Sequence, residues 1–275
     1  MTRHRSKAVT FLMYTILTVG ILIILIPFWW MITTSFDKLN SAAMPNPPRL
    51  LPLNWSLYNY EVAINNVNMV IATRNNFILM ICSFLLNAAL ASAAGFALSK
   101  GRFPFRNTLL VFFLSCQMVP FESRVIEIFK LINNVGLSDS FAGYLLPGLM
   151  TNAFYIFLMK KAFGDMPDSL MESAQIDGGS LFRIYARIYL PLIAPVVAAL
   201  GVLDAVAIWN DMLWPLLVLK SRNLYTVQLS MIRYVSSHPG VLSAVVVLSV
   251  VPISIVFLVF QKWIIQGIAT SGLKG

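Results

Sequence analysis

Residues 166–191 read MPDSLMESAQIDGGSLFRIYARIYLP, a polar and charged stretch set between two long apolar segments. Its interior carries helix signals. Asp165 is placed to cap a helix, Pro167 suits a first helical position, and Asp168 suits the positive end of a helix dipole. The pattern runs to Gly178-Gly179, where a left-handed C-cap costs little. Ser180 then caps a second helix that carries Phe182, Arg183, Tyr185 and Arg187 toward Pro191. The stretch predicts helix, tight turn, helix: a structured element outside the bilayer that docks on a partner rather than serving as a tether.

The rest of the chain is apolar. Of 275 residues, 58% are hydrophobic and 11% charged, where soluble domains carry about 25% charged residues. Several apolar runs reach the ~20 residues that cross a bilayer, so the chain is an all-α polytopic membrane protein. The net charge of +9 is read as basic loops facing anionic lipid and cytoplasm, not nucleic acid. Cys82 and Cys116 each lie inside an apolar run and are expected to be buried thiols. His4 and His238 have no second ligand type nearby, which argues against a metal site or a nucleophilic triad. No phosphate-binding P-loop sequence occurs.

Apolar runs at 11–34, 74–99, about 107–120, 141–159, 192–219 and 241–265 predict six spans. The first follows Arg3, Arg5 and Lys7, as in a secretory signal, but exceeds the ~7–15 residues of a signal core; it reads as a retained span. Trp29 and Trp30 suit its interfacial end. A proline-bearing loop at 35–70 contains a surface-helix pattern at 53–64. The segment 87–95, NAALASAAG, is rich in the small residues that let membrane helices approach closely. Residues 121–140 predict a helical re-entrant or surface segment. The fifth run carries Pro195, Pro215, Asp204 and Asp211, and 221–240 is a second outer loop. The basic N-terminus and the turn with Lys100, Arg102 and Arg106 orient both termini to the cytoplasm. The whole chain, 1–275, reads as one membrane domain.

Within the opening stretch the order is Glu172-Ser173-Ala174, three residues, Gly178, nine residues, then Ile188-Tyr189-Leu190-Pro191. This resembles the EAA loop of ABC importer permeases at every step of its spacing, with Ser173 where the family usually has Ala. Trp209-Asn210-Asp211 resembles the WN-acid signature of the carbohydrate permeases. The ending, Gln261-Lys262-Trp263 and Ser271–Gly275, resembles MalG-like members. The resemblance implies a MetI-like type I permease fold of six transmembrane helices. It also implies a bacterial inner or plasma membrane location. The implied partners are a second, MalF-like permease, two cytoplasmic ATPase subunits that hold ATP and Mg, and an extracytoplasmic solute-binding protein. This chain would bind no cofactor and perform no catalysis. The cargo would be a mono- or oligosaccharide; permeases for glycerol 3-phosphate are similar. The rival from another class is a secondary transporter or channel, which calls for intramembrane acids and an internal repeat.

By that resemblance, ATPase coupling falls to Glu172, Ser173, Ala174, Asp177, Gly178, Gly179, Leu190 and Pro191. Gly178 is expected to supply both the sharp turn and a close backbone approach. Asn152, Trp209, Asn210 and Asp211 are candidates for the substrate path. Asp211 is either a sugar contact or a solvated or paired group near the outer end, and Asp204 has no nameable partner. Tyr225, Gln228 and Tyr234 in the outer loop are candidates for contact with the binding protein.

Overall fold

The computed structural model describes residues 7–38, 50–150, 152–233 and 238–272. Tyr234, one of the outer-loop candidates, and the terminal Leu273–Gly275 lie outside the described residues. The fold is all-α: among the described residues the sole extended pairing is an isolated bridge between Asp37 and Trp55. Three helices are long and apolar enough to cross a membrane, and six spans result if each of three bent helix pairs is one span.

The chain forms two compact units, one from Met1–Val70 with Ser230–Val251 and one from Ile71–Leu229 with Pro252–Gly275. In the first, helix α1 (Lys7–Ser35) exposes most of its apolar side chains, as suits a helix with lipid or protein neighbours around it. Its end is anchored by polar bonds. The buried Asp37 carboxylate accepts the amides of Leu53 and Asn54. Asn59, on α2 (Tyr58–Asn65), donates to the carbonyls of Ser35 and Asp37 at 3.1 Å each. The expected surface helix thus starts only at Tyr58; Leu53 and Asn54 are tied to Asp37 by these bonds instead. Gly240, at the start of the last helix, leaves room for the Asn59 amide, which a Cβ there would meet at 2.6 Å.

The second unit begins with most of α3 (Met69–Lys100). After the turn at 101–105 come α4 (Arg106–Gln117) and α5 (Phe121–Asn134), which meet at 97°. At about 1.5 Å per residue, α4 alone is too short for a ~30 Å hydrocarbon core, so the third run is not a span by itself. Pro120 sits at the corner, where it has no amide to continue α4 and disfavours helix in the residue before it.

The fourth run differs from expectation too. It is α6 (Phe141–Met150) and α7 (Ala153–Gly164), separated at Asn152, whose ψ of 50° is not helical. Asp165 closes α7, donating its amide to Lys161, rather than capping the next helix. That helix, α8 (Ser169–Ile176), starts after Pro167 and not on it. Next, α9 (Leu181–Leu192) bends 73° into α10 (Ala194–Asn210). Pro195 explains the bend, since its ring collides with the carbonyl one turn back and has no amide to donate. A further break falls at Asp211-Met212, ahead of α11 (Leu213–Val218); Pro215 lies in the first turn of α11, where no amide is needed. The loop expected at 221–240 holds, among the described residues, a short turn at Arg222–Leu224 and α12 (Val227–Arg233). The last helix is α13 (Pro239–Gly272). Cys82 is half-buried, and Cys116 is exposed, contrary to the buried thiol expected: its run faces outward.

The small-residue segment has a specific consequence. A Cβ on Gly95 would lie 2.5 Å from Cβ of Met159 and 2.8 Å from the Lys160 nitrogen. So α3 and α7 cross backbone to backbone. Around this crossing Met159, Phe163, Ala174, Ile184 and Tyr189 form a buried cluster.

Candidate functional site

The helix-turn-helix at 166–192 is attached to the bundle through one face and open on the other. Ala174 is buried in the cluster, which requires a small side chain. Glu172, Ser173 and Asp177 are exposed, and Ser173 returns its hydroxyl to the Ser169 carbonyl at 2.8 Å. Gly178 adopts φ +76°, and a Cβ added to it would meet nothing within 4 Å, whereas a Cβ on Gly179 would meet the Ala174 carbonyl oxygen at 2.7 Å. The two roles expected of Gly178 are therefore divided. Gly178 supplies the left-handed turn, and Gly179 permits the close approach in which its amide bonds Ala174 at 2.9 Å. Ser180 caps α9 through the Arg183 amide.

Helix α9 contains a π-turn at Tyr185–Tyr189, a local widening often found at functional positions. It presents Tyr185 and Tyr189 to Phe96 at ring distances of 5.2 and 5.3 Å. The Tyr185 hydroxyl pairs with Ser92 at 2.6 Å. Leu190 is half-buried and Pro191 exposed, just ahead of the bend. On the open face, Ile176 is 86% and Phe182 77% exposed. Both apolar groups stand on the same exposed face as Glu172 and Asp177 and are open to contact.

The loop is also tethered. Lys100 ends α3 and donates to Met166 O and to Asp168 Oδ1. The hydrogen bond from Lys100, its charge, and the more distant Arg102 hold the Asp168 carboxyl below its usual range.

The second feature is an open cavity of about 380 Å³ in the same unit. Asn152, Asn210 and Asp211 line it. Trp209 does not; it is buried, with its ring edge-on to Phe77 at 6.1 Å. The indole at the cavity is that of Trp214, which donates to the Tyr144 carbonyl at 3.0 Å and packs edge-on to Phe121. Asp211 staples the break after α10: it accepts the Tyr144 hydroxyl at 2.9 Å and the Trp214 amide at 3.3 Å. Asn210 gives its amide to Val206, one turn back on its own helix.

Deeper in the cavity, Asn152 donates to Asn87 at 3.2 Å, and Asn87 donates to Ser83 at 3.0 Å and Asp204 at 3.4 Å. The second oxygen of the buried Asp204 has no partner among the described residues. The lining carries two carboxyl groups, three amides and two hydroxyls but no Lys, Arg or His. Tyr144, Trp214, Phe121 and Ser83 escape the sequence reading because no local pattern marks them; the aromatic and acidic content of 204–214 was the available signal.

Of the outer-loop candidates, Tyr225 and Gln228 are half-buried, and Tyr225 spends its hydroxyl on Lys220 O. Two fully buried asparagines hold this loop: Asn75 donates to the carbonyls of Asn223 and Tyr225, and Asn76 accepts the Val227 amide. The Ser221 hydroxyl and amide, with the Lys220 amide, hold the Asp139 carboxyl below its usual range.

Comparison with known proteins adds four findings. The model of the family described as binding-protein-dependent transport system inner membrane component matches residues 88–270. The arabinooligosaccharides transport system permease protein AraQ of Bacillus subtilis (strain 168) is 32% identical over 204 residues, 73% of this chain and 72% of that protein. The sn-glycerol-3-phosphate transport system permease protein UgpE of Salmonella typhimurium is 30% identical over 281 residues, 98% of this chain and 99% of that one. A crystal structure of a bacterial ABC transporter involved in the import of the acidic polysaccharide alginate contains a chain that superposes with a TM-score of 0.81. It is 23% identical and covers 95% of this chain and 99% of that chain.

Proposed function

The chain belongs to the family of binding-protein-dependent transport system inner membrane components, and on that premise we propose that it is the six-span permease subunit of an ATP-driven importer for an uncharged carbohydrate. It supplies the path; ATP and Mg are bound by cytoplasmic ATPase subunits, and an extracytoplasmic protein delivers the cargo. A second, MalF-like permease completes the path, and both termini face the cytoplasm.

The observation that carries the drive mechanism is the loop with one buried and one open face. Ala174, Ile184 and Tyr189 bind it into the bundle, so force on Glu172, Ile176 and Phe182 reaches α7 and α10 as a rigid displacement. ATP-driven closure of the motor is thereby converted into alternating access. The cargo reading rests on the cavity. Amides and carboxylates are suited to paired sugar hydroxyls, and the Trp214 and Phe121 rings to sugar C–H faces. A phosphate would meet Asp204 and Asp211 with no cation in the lining, an arrangement that disfavours an anion in a low-dielectric site.

Reconstitution of the importer in proteoliposomes tests both points. Glu172→Ala, and Gly178→Asp, which adds a negative charge to the open face, are expected to leave membrane insertion intact and to weaken ATPase association or coupled uptake. Uptake at the wild-type rate would refute the docking role, and uptake without ATP would indicate a secondary transporter. Accumulation of glycerol 3-phosphate in preference to neutral sugars would reverse the cargo assignment alone.

A further inference from the structure

A second cavity, about 400 Å³ in volume, opens beside the coupling loop between the end of α3, the start of α4 and the end of α7. Arg106, Lys160 and Lys161 line it, against one acid, Asp165. Two of the cations are partly engaged: Arg106 donates to Gly101 O at 2.8 Å, and Lys160 to Asn107 Oδ1 at 2.9 Å. The ammonium group of the exposed Lys161 has no hydrogen-bond or ion-pair partner among the described residues. Leu98 and Phe157 supply apolar lining.

The neighbouring turn has the features of a membrane-surface anchor. Phe103 is 40% and Phe105 79% exposed, and Arg102 lies exposed beside them. Phe105 sits at φ +61°, a left-handed conformation that is costly for a bulky residue. Its ring stands exposed on this turn. Apolar rings next to basic side chains at the end of a span suit the boundary between headgroups and acyl chains.

We propose that this cavity binds the phosphodiester headgroup of an anionic phospholipid, with Arg106, Lys160 and Lys161 around the phosphate and Phe103 and Phe105 at the acyl boundary. The site is independent of the sugar path and of the docking face of the loop. Through Asp165 and Gly164 it abuts the segment that leads into α8, so a bound lipid braces the hinge on which the coupling helix is carried.

The test uses the assembled importer in detergent, titrated with dioleoyl-phosphatidylglycerol or dioleoyl-phosphatidylcholine and read by native mass spectrometry. The wild type is expected to retain phosphatidylglycerol preferentially. Each cation near a membrane surface contributes about 1 kcal/mol, or about fivefold, so Lys160→Gln with Lys161→Gln should weaken retention by about 25-fold. Neither lysine side chain bonds to the backbone among the described residues, so the helix ends stay intact. Lys161→Glu alone, the same change in charge, should give a similar loss, and Lys220→Gln with Arg233→Gln should have no effect. Retention unchanged in both Lys161 variants overturns the proposal. Displacement of the lipid by millimolar inorganic phosphate assigns the site to a soluble anion instead. Retention seen only when the ATPase subunits are stripped away makes the cavity a protein interface.

Discussion

Lys100 Nζ lies 2.6 Å from Asp168 Oδ1 and 2.8 Å from the Met166 carbonyl oxygen. The last residue of one long helix thus holds the approach to α8. The pair is asymmetric: the lysine side chain is 7% exposed and the aspartate 81%, and the ammonium group lies 5.7 Å from the centre of the Tyr189 ring. The bond therefore works mainly as an anchor for the loop, fixed at the lysine end.

Replacing Lys100 with Met keeps the length of the side chain and removes its donors. An ion pair with one solvated partner contributes little, so amide exchange across α8 should accelerate by no more than about fivefold while α3 is unchanged. Hydrogen exchange by mass spectrometry reads both. Unchanged exchange in α8 would show that the loop is held by the Ala174 face alone.

The same pair predicts a pH response. The Asp168 carboxyl is lowered from its ordinary value by Lys100. Its contribution is therefore fully present above the unfolded value of about 4, and is lost as pH falls through the lower folded value. Protection of α8, corrected for intrinsic exchange, should stay flat down to about pH 5 and decline only in acid. In Lys100→Met that acid phase should disappear.

The two loop glycines should respond differently to the same residue. Asn tolerates the left-handed region, so Gly178→Asn should retain most coupled uptake, at a cost below about 1 kcal/mol. Gly179→Asn places a Cβ 2.7 Å from the Ala174 carbonyl and should open the turn, lowering ATPase association more than tenfold. Equal losses in the two variants would contradict the division of roles.

Tyr144→Phe removes the hydroxyl that reaches Asp211 at 2.9 Å. A polar group left short of a partner costs about 1–3 kcal/mol, so the stretch between α10 and α11 should loosen. Uptake should fall about tenfold, with a shift in Trp214 fluorescence. Neutralising Asp211 as well, in Tyr144→Phe with Asp211→Asn, keeps the acceptor for the Trp214 amide and should recover thermal stability but not uptake.

Gly95→Val tests the crossing of α3 with α7. With Met159 Cβ only 2.5 Å from any added Cβ, the helices must separate, and overpacking of this kind costs about 1–3 kcal/mol. The purified protein should melt several degrees lower, whereas Gly148→Val, at a position with nothing within 4 Å, should not.

How much of this was legible in advance depended on how local each feature is. The six apolar runs, the capped turn at Gly178-Gly179 and the Glu172–Pro191 spacing are contiguous patterns, and one-dimensional reading finds them. It also named Asn152, Asn210 and Asp211, which share one cavity, as path candidates. It did not separate Trp209 from Trp214, because their fates depend on where α10 stops. That break is set by Asp211, stapled to Tyr144, which lies 67 positions away. Nor did it find that Asn87 is the partner of Asp204, 117 positions distant.

What the sequence alone determined is therefore the membrane class, the set of apolar runs and the segment proposed as the coupling element, since each follows from hydrophobic length or from residue spacing within one segment. The tertiary structure decided which glycine takes the turn and which the contact, where the spans bend, and which side chains share a cavity. Those depend on distances between helices brought together by packing, a property that no single segment contains.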